Sequence, residues 1–184
     1  LILAGGFGTR LRSVVSEVPK PLASVGDKPF LHRLLGNLEH QGVKEVTISL
    51  HHQANLIEQY LDSESFGLKI SSVIEPDPLG TGGAIAFAIQ QMDVQKPFVV
   101  INGDTWLSSW VSSFSDLNPP AIGLVHIEEN TRYGRVDWQD QKVQRFQEKE
   151  PNAGPGWINA GLYLLQASDF HNWDGQPFSL ERDL

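Results

Sequence analysis

The chain has 184 residues, 40% hydrophobic and 20% charged, with no cysteine. That length suits one domain with a sizeable core, and the lack of thiols removes disulfides, thiol nucleophiles and cysteine-ligated zinc. Against 22 Asp and Glu stand 14 Lys and Arg, a formal charge of −8, which opposes a nucleic-acid polymer as partner but leaves room for a small anion in a local basic pocket.

The first predicted strand is "LILAG", residues 1–5, and it empties into Gly5, Gly6 and Gly8, followed by Thr9 and Arg10. Ligands of open α/β sheets bind at such strand ends, and glycines let backbone N–H groups approach an anion. The dinucleotide fingerprint would need glycine where Leu11 stands, and a P-loop would need G-K-[ST], so both common phosphate loops are excluded by spacing. Taken alone, the glycines also suit a tight turn. Lys20 follows between Pro19 and Pro21; the prolines fix φ on either side and stiffen the segment that carries the ammonium. Arg10 offers a planar fork for phosphate oxygens and Lys20 a compact point charge.

A helix is predicted from Phe30, with Leu31, Leu34, Leu35 and Leu38 on its apolar face. The strand "EVTISL", residues 45–50, ends on His51 and His52, which alternate in direction and read as loop or packing residues, since opposite faces do not share a metal. Leu56, Ile57, Tyr60 and Leu61 mark a second helix, "LKISSVIE" a strand over 68–75, and Ala84, Ile85, Ala88 and Ile89 a third helix. The strand "PFVVING", residues 97–103, delivers Asn102 and Asp104 at its carboxyl end. A carboxylate there, beside a triphosphate, suits Mg²⁺, which takes one or two carboxylates with phosphate oxygens and water; an Asx turn is the alternative. Trp106 and Trp110 are four apart, as on one helix face.

Beyond residue 121 short strands dominate: "AIGLVHI" (121–127), "GRVDW" (134–138), "KVQRFQ" (142–147) and "INAGLYLL" (158–165), with a hairpin turn at residues 139–141. Trp157, close to Asn159, suits either a sugar pocket or the core. Strand–helix alternation followed by strands alone predicts a Rossmann-like α/β/α sandwich with a mixed, mostly parallel sheet, its later strands extending the sheet over a substrate pocket. The chain opens on a strand without methionine and stops in "FSLERDL", an unfinished helix; residues 1–184 are expected to form a single α/β domain truncated at both ends. No apolar run reaches the roughly 18 residues of a membrane span and no secretory signal is visible, so a cytoplasmic protein without membrane association is expected.

"LAGGFGTRLRSVVSEVPKPLASVGDKP", "PLGTGGAI", "VINGDT", "FQEKEP" and "INAGLYLL", in this order, resemble the nucleoside-diphosphate-sugar pyrophosphorylases, the sugar-1-phosphate nucleotidyltransferases. Within that superfamily the "LRSVVSEVPKPLASVGDKPFL" wording resembles the D-glycero-α-D-manno-heptose 1-phosphate guanylyltransferases. The resemblance implies that Ala4, Gly5, Gly6, Gly8, Thr9, Glu75, Gly80, Thr81 and Asn102 bind the nucleotide, with Arg10 and Lys20 as catalytic cations on its phosphates. It implies Mg²⁺ on Asp104, and Gly134, Glu148, Lys149 and Asn159 on the sugar-phosphate side. A nucleoside triphosphate and a sugar 1-phosphate are the implied partners. The family's second metal-binding aspartate, in an F-x-D-I-G context, has no counterpart here, since Asp174 and Asp183 lie in other contexts. Mannose 1-phosphate guanylyltransferase, an amino-sugar-phosphate uridylyltransferase and a non-catalytic nucleotide-sugar sensor stay open as alternatives.

Overall fold

The structure, a computed structural model, describes residues 1–7, 18–129, 133–147 and 154–183. Strand β1 (Ile2–Leu3) lies at the centre of a sheet and runs into the glycine-containing loop. After it come a 3₁₀ turn at Lys20–Leu22 and a small hairpin of β2 (Ser24–Val25) and β3 (Lys28–Pro29). Helix α1 (Phe30–His40) buries Leu31, Leu34, Leu35 and Leu38, the i, i+3, i+4, i+7 stripe that the sequence spacing requires. Its last turn closes with Gly42 N–H donating to Glu39 O and Val43 N–H to Leu38 O, a paired set of bonds that satisfies carbonyls the helix leaves free.

Strand β4 (Glu45–Leu50) is buried from Val46 onward, as expected of an inner strand covered on both faces. Helix α2 (Ala54–Ser63), strand β5 (Lys69–Ile74), helix α3 (Gly80–Gln91) and strand β6 (Phe98–Asn102) complete the parallel part. Helix α4 (Val111–Ser115) and strand β7 (Ala121–Ile127) follow, then the hairpin β8 (Val136–Gln139) and β9 (Lys142–Phe146), the long strand β10 (Gly156–Leu165) and helix α5 (Leu180–Asp183).

The six-stranded sheet has the order β5-β4-β1-β6-β10-β7. Pairings from β5 to β6 are parallel, and β10 pairs antiparallel with both β6 and β7. The mixed, mainly parallel sheet with flanking helices is therefore the expected one. Its alternation sorts the core: Ile2, Ile101, Leu162 and Leu164 face α1, α2 and α4, while Val100, Tyr163 and Leu165 face α3 and α5. That is the period-2 pattern of a sheet buried on both sides.

The β8–β9 hairpin turns at Asp140 and Gln141, at φ 50° and 60°, the left-handed pair that matches strand twist in two-residue hairpins. One expectation fails. Trp106 and Trp110 do not share a helix face: Trp106 lies half-exposed in a loop, edge-on to Phe30 at 6.4 Å, while Trp110 is buried against Phe114. The Gln41 side chain explains it, because its Oε1 accepts from the N–H groups of Trp110 and Val111 at 2.9 and 3.1 Å and so starts α4 only there.

Candidate active site

A cavity of about 360 Å³ opens at the carboxyl ends of β1 and β6, where parallel α/β sheets hold ligands. Ala4, Gly5 and Gly6 form one wall, Glu75, Gly80 and Thr81 another, and Lys20, Asn102 and Asp104 the mouth. Residues separated by up to about a hundred positions are thus gathered because β1 and β6 are neighbours and the loop after β5 leads into α3. Gly8, Thr9, Arg10, Glu148 and Lys149 lie outside the described residues.

Lys20 sits on the 3₁₀ turn that begins after Pro19, and Pro21 beside it is buried, so the turn is anchored from within. Its ammonium forms an ion pair with the Asp104 carboxylate. Asp104 is held just past β6, where Gly103 N–H donates to Leu3 O at 2.8 Å and Thr105 N–H to Asn102 O at 3.0 Å. The expected phosphate cation and the expected metal ligand are therefore adjacent. Among the described residues no group of three or more His, Asp or Glu side chains converges as a metal cage. A single half-exposed carboxylate at an open cavity fits a cation that completes its shell with phosphate oxygens and water.

Glu75 is buried, at 5% exposure. Ser49 Oγ donates to its Oε1 at 2.8 Å and the Leu79 N–H to its Oε2 at 3.3 Å, so the carboxylate first of all pins the loop that leads into α3. Each carboxylate oxygen has a further lone pair for a ligand donor. Gly5 runs so close that a Cβ there would come within 3.0 Å of Glu75 Oε1 and 3.2 Å of His51 Cβ. At the rim, Phe7 packs against both His51 and His52, with ring centroids at 5.6 and 5.2 Å, and His51 Nδ1 bonds to Glu75 O. The two histidines are packing residues of the cavity's edge.

Thr81 joins the cavity to α5. Its hydroxyl accepts from Leu180 N–H and donates to Glu181 Oε2, both at 2.9 Å, so the hydroxyl is engaged by α5 while the residue itself lines the cavity. The glycines around it serve the same docking. The N–H groups of Gly82 and Gly83 donate to Phe178 O, and a Cβ on Gly82 would collide with the edge of the Phe178 ring. Asn159 and Gly134 do not line the cavity. Gly134 lies at the base of the β8–β9 hairpin under Gln147 O, where any side chain would collide. Asn159 lies where the β10–β7 register shifts; its Oδ1 accepts from Gly161 N–H at 2.8 Å and its Nδ2 donates to the Tyr163 hydroxyl at 2.6 Å.

Beside that irregularity a second, wider groove of about 1000 Å³ lies between β10 and the β8–β9 hairpin, with Trp138, Phe146, Trp157, Tyr163 and Glu181 on its walls. Trp157 meets Trp138 edge-on at 5.6 Å and His126 at 5.3 Å; it lines this groove and does not enter the core. Burial, and then the Glu181 carboxylate, push the Tyr163 hydroxyl well above its ordinary 10.0. For Glu181, burial favours the neutral form, but hydrogen bonds from Tyr163, Ser179 and Thr81 outweigh it and hold the carboxyl below its ordinary 4.5. Tyr163, Phe178 and Glu181 escape sequence reasoning, because only folding brings residues 178–181 onto α3. Asp174 and Asp183 accept local backbone N–H bonds, from Gln176 and Ser179, and take no part in the cavity.

A model of the nucleotidyl transferase family matches residues 1–176. D-glycero-α-D-manno-heptose 1-phosphate guanylyltransferases of Campylobacter jejuni and Aneurinibacillus thermoaerophilus are 37% and 38% identical over the whole chain, which covers 83% and 81% of their lengths. The crystal structure of HddC from Yersinia pseudotuberculosis complexed with GMP-PN superposes with a TM-score of 0.88 at 38% identity, covering all of this chain and 83% of that one. A UDP-glucose pyrophosphorylase complexed with UDP-glucose shares the fold, with a TM-score of 0.71 at 20% identity over 92% of this chain and 76% of that one. The cavity at the ends of β1 and β6 thus belongs to a chain of the nucleotidyl transferase family.

Proposed function

We propose that the chain is a Mg²⁺-dependent sugar-1-phosphate guanylyltransferase that converts GTP and D-glycero-D-manno-heptose 1-phosphate to GDP-heptose and pyrophosphate. The observation that carries this reading is the meeting of Lys20 and Asp104 at the mouth of a glycine-walled cavity, in a chain whose full length matches heptose 1-phosphate guanylyltransferases. An oxygen of the sugar phosphate attacks the α-phosphorus; a new P–O bond forms, the bond to the β-phosphate oxygen breaks, and pyrophosphate leaves. Both reactants are polyanions, so positive charge must gather before they meet. Lys20, and by resemblance Arg10 and Lys149, supply it, and Mg²⁺ on Asp104 would add charge neutralisation at the triphosphate. The remaining work is positioning, with no covalent intermediate on the protein. Glu75, with spare acceptor capacity in the wall, suits guanine, whose N1–H and exocyclic amine both donate.

Pyrophosphate release is to be measured for each of four nucleoside triphosphates against heptose, mannose and amino-sugar 1-phosphates, with Mg²⁺ present and then removed by chelation. Turnover confined to GTP with the heptose phosphate, and lost on chelation, is expected. Preference for mannose 1-phosphate or for UTP would replace the substrate assignment, and nucleotide binding without release in any pairing would turn the reading into that of a sensor.

A further inference from the structure

We infer that Glu181 is a positioning residue that ties the nucleotide wall to the sugar-phosphate side, so that neither substrate site is set independently of the other. The inference rests on the proposed function for the roles of the two sides, but its geometry stands apart. Glu181 Oε2 accepts from Thr81 Oγ1 at 2.9 Å and from Ser179 Oγ at 2.8 Å, and its Oε1 accepts from the Tyr163 hydroxyl at 2.6 Å. Tyr163 in turn accepts from Asn159 Nδ2 at 2.6 Å. Thr81 is on the cavity wall at the start of α3, Asn159 on β10.

Donor and acceptor chemistry fixes the direction of every link. A backbone N–H can only donate, so Gly161 N–H assigns Asn159 Oδ1 as the acceptor and turns Nδ2 toward Tyr163. The Tyr163 hydroxyl, already accepting there, must give its one proton to Glu181. Likewise the Leu180 N–H makes Thr81 Oγ1 an acceptor, and its proton also goes to Glu181. Both sides therefore converge on one carboxylate, which is held ionised by the donors around it. The β10 bend also lies close to the cavity: at Gly161, φ +69°, a Cβ would come within 2.6 Å of Asn102 Nδ2, and Asn102 lines the cavity. Losing Glu181 leaves three hydroxyl protons, those of Thr81, Tyr163 and Ser179, without their acceptor and frees Thr81 and Tyr163 to turn separately.

The test uses the full natural chain with GTP and the sugar phosphate that it turns over, in wild type, Thr81→Val, Tyr163→Phe, Glu181→Ala and Glu181→Gln, and in each single hydroxyl variant combined with Glu181→Ala. Thr81→Val is expected to raise KM for the sugar phosphate at least threefold, although it lies in the nucleotide wall, and Tyr163→Phe to raise KM for GTP likewise. Both crossed effects should fall within twofold of unity once Glu181 is alanine. Glu181→Ala itself should raise both KM values about tenfold, and Glu181→Gln, which keeps one acceptor oxygen, should recover part of that loss. Crossed effects that are absent in the wild-type background, or that persist undiminished without Glu181, overturn the inference. Should Glu181→Ala fail to fold, as judged by circular dichroism, Glu181→Gln takes its place: the crossed effects of the two hydroxyl variants should be present in the wild-type background and weakened when combined with Glu181→Gln, and their absence or full persistence overturns the inference. A wild-type chain that releases no pyrophosphate in any pairing overturns the proposed function and this inference together; an active wild type without crossed effects overturns this inference alone.

Discussion

Lys20 and Asp104 are the residues where stability and activity separate most cleanly. Their side chains are 33% and 50% exposed, and an ion pair that wet contributes at most about 1 kcal/mol to folding. Lys20→Ala and Asp104→Ala should therefore leave the melting temperature nearly unchanged. Turnover should nevertheless fall on the order of a hundredfold or more, since a fixed charge aimed at a developing charge is worth about 3 kcal/mol in barrier. Steady-state kinetics paired with thermal melting checks this, and wild-type rates in either variant would sink the assignment. Glu181 bears on stability as well as on both KM values. Its folded carboxyl is held below the ordinary 4.5, so its stabilising contribution is complete above that value and is lost as pH falls through the lower folded value. Melting curves at decreasing pH should show wild type losing stability below 4.5 more steeply than Glu181→Gln, which has no proton to take up.

At the scale of elements, two junctions hold the cavity. The first is the start of α3, where Phe178 O receives the N–H groups of Gly82 and Gly83 and the Phe178 ring occupies the space a side chain on Gly82 would need. Gly82→Val should cost at least about 2 kcal/mol, the range of overpacking a close contact, and should lower nucleotide affinity because Thr81 moves with the helix start. Denaturant unfolding and nucleotide titration read the two effects. The second junction is the β10 irregularity, where Gly161 adopts φ +69° against Asn102 and Thr105. Gly161→Ala adds left-handed strain of about 1–2 kcal/mol to that close contact. Loss of stability together with raised KM for both substrates is the expected outcome, since Asn102 and Asn159 flank the same bend. A glycine in an apolar strand is legible as a bend or a close approach; that its neighbour would be Asn102 is not.

For the molecule as a whole, the central strands serve two cores at once. Ile101 and Leu164 are sealed by α1, α2 and α4, and Val100 and Leu165 by α3 and α5. Leu34→Ala, at a position with no exposure, should cost about 2–5 kcal/mol. It should still leave the turnover of the folded fraction near wild type, because α1 packs behind the sheet and does not line the cavity. Activity normalised to folded protein checks this, and a proportionate loss of kcat would show that the cavity depends on that face. No helix among the described residues is long and apolar enough to cross a membrane, in keeping with a core built from short elements.

The sequence by itself determined most of the fold and one side of the site. Strand and helix periods identify β4, β6, β10 and α1, since burial on a sheet or helix face imposes a local repeat that side chains must follow. Glycines after a strand, a lysine between prolines and an aspartate at a strand end pointed to residues that line the cavity for the same reason: each is a local constraint. What only tertiary structure decided is which distant groups share a partner. The Thr81 hydroxyl bonds to Leu180 and Glu181 because residues 178–181 fold onto α3, about a hundred positions away along the chain. Trp106 and Trp110 parted because Gln41, just past the end of α1, starts α4 only at Val111, after both of them. Side-chain hydrogen bonds and close packing of this kind depend on three-dimensional neighbours and leave no periodic trace in the residues that make them.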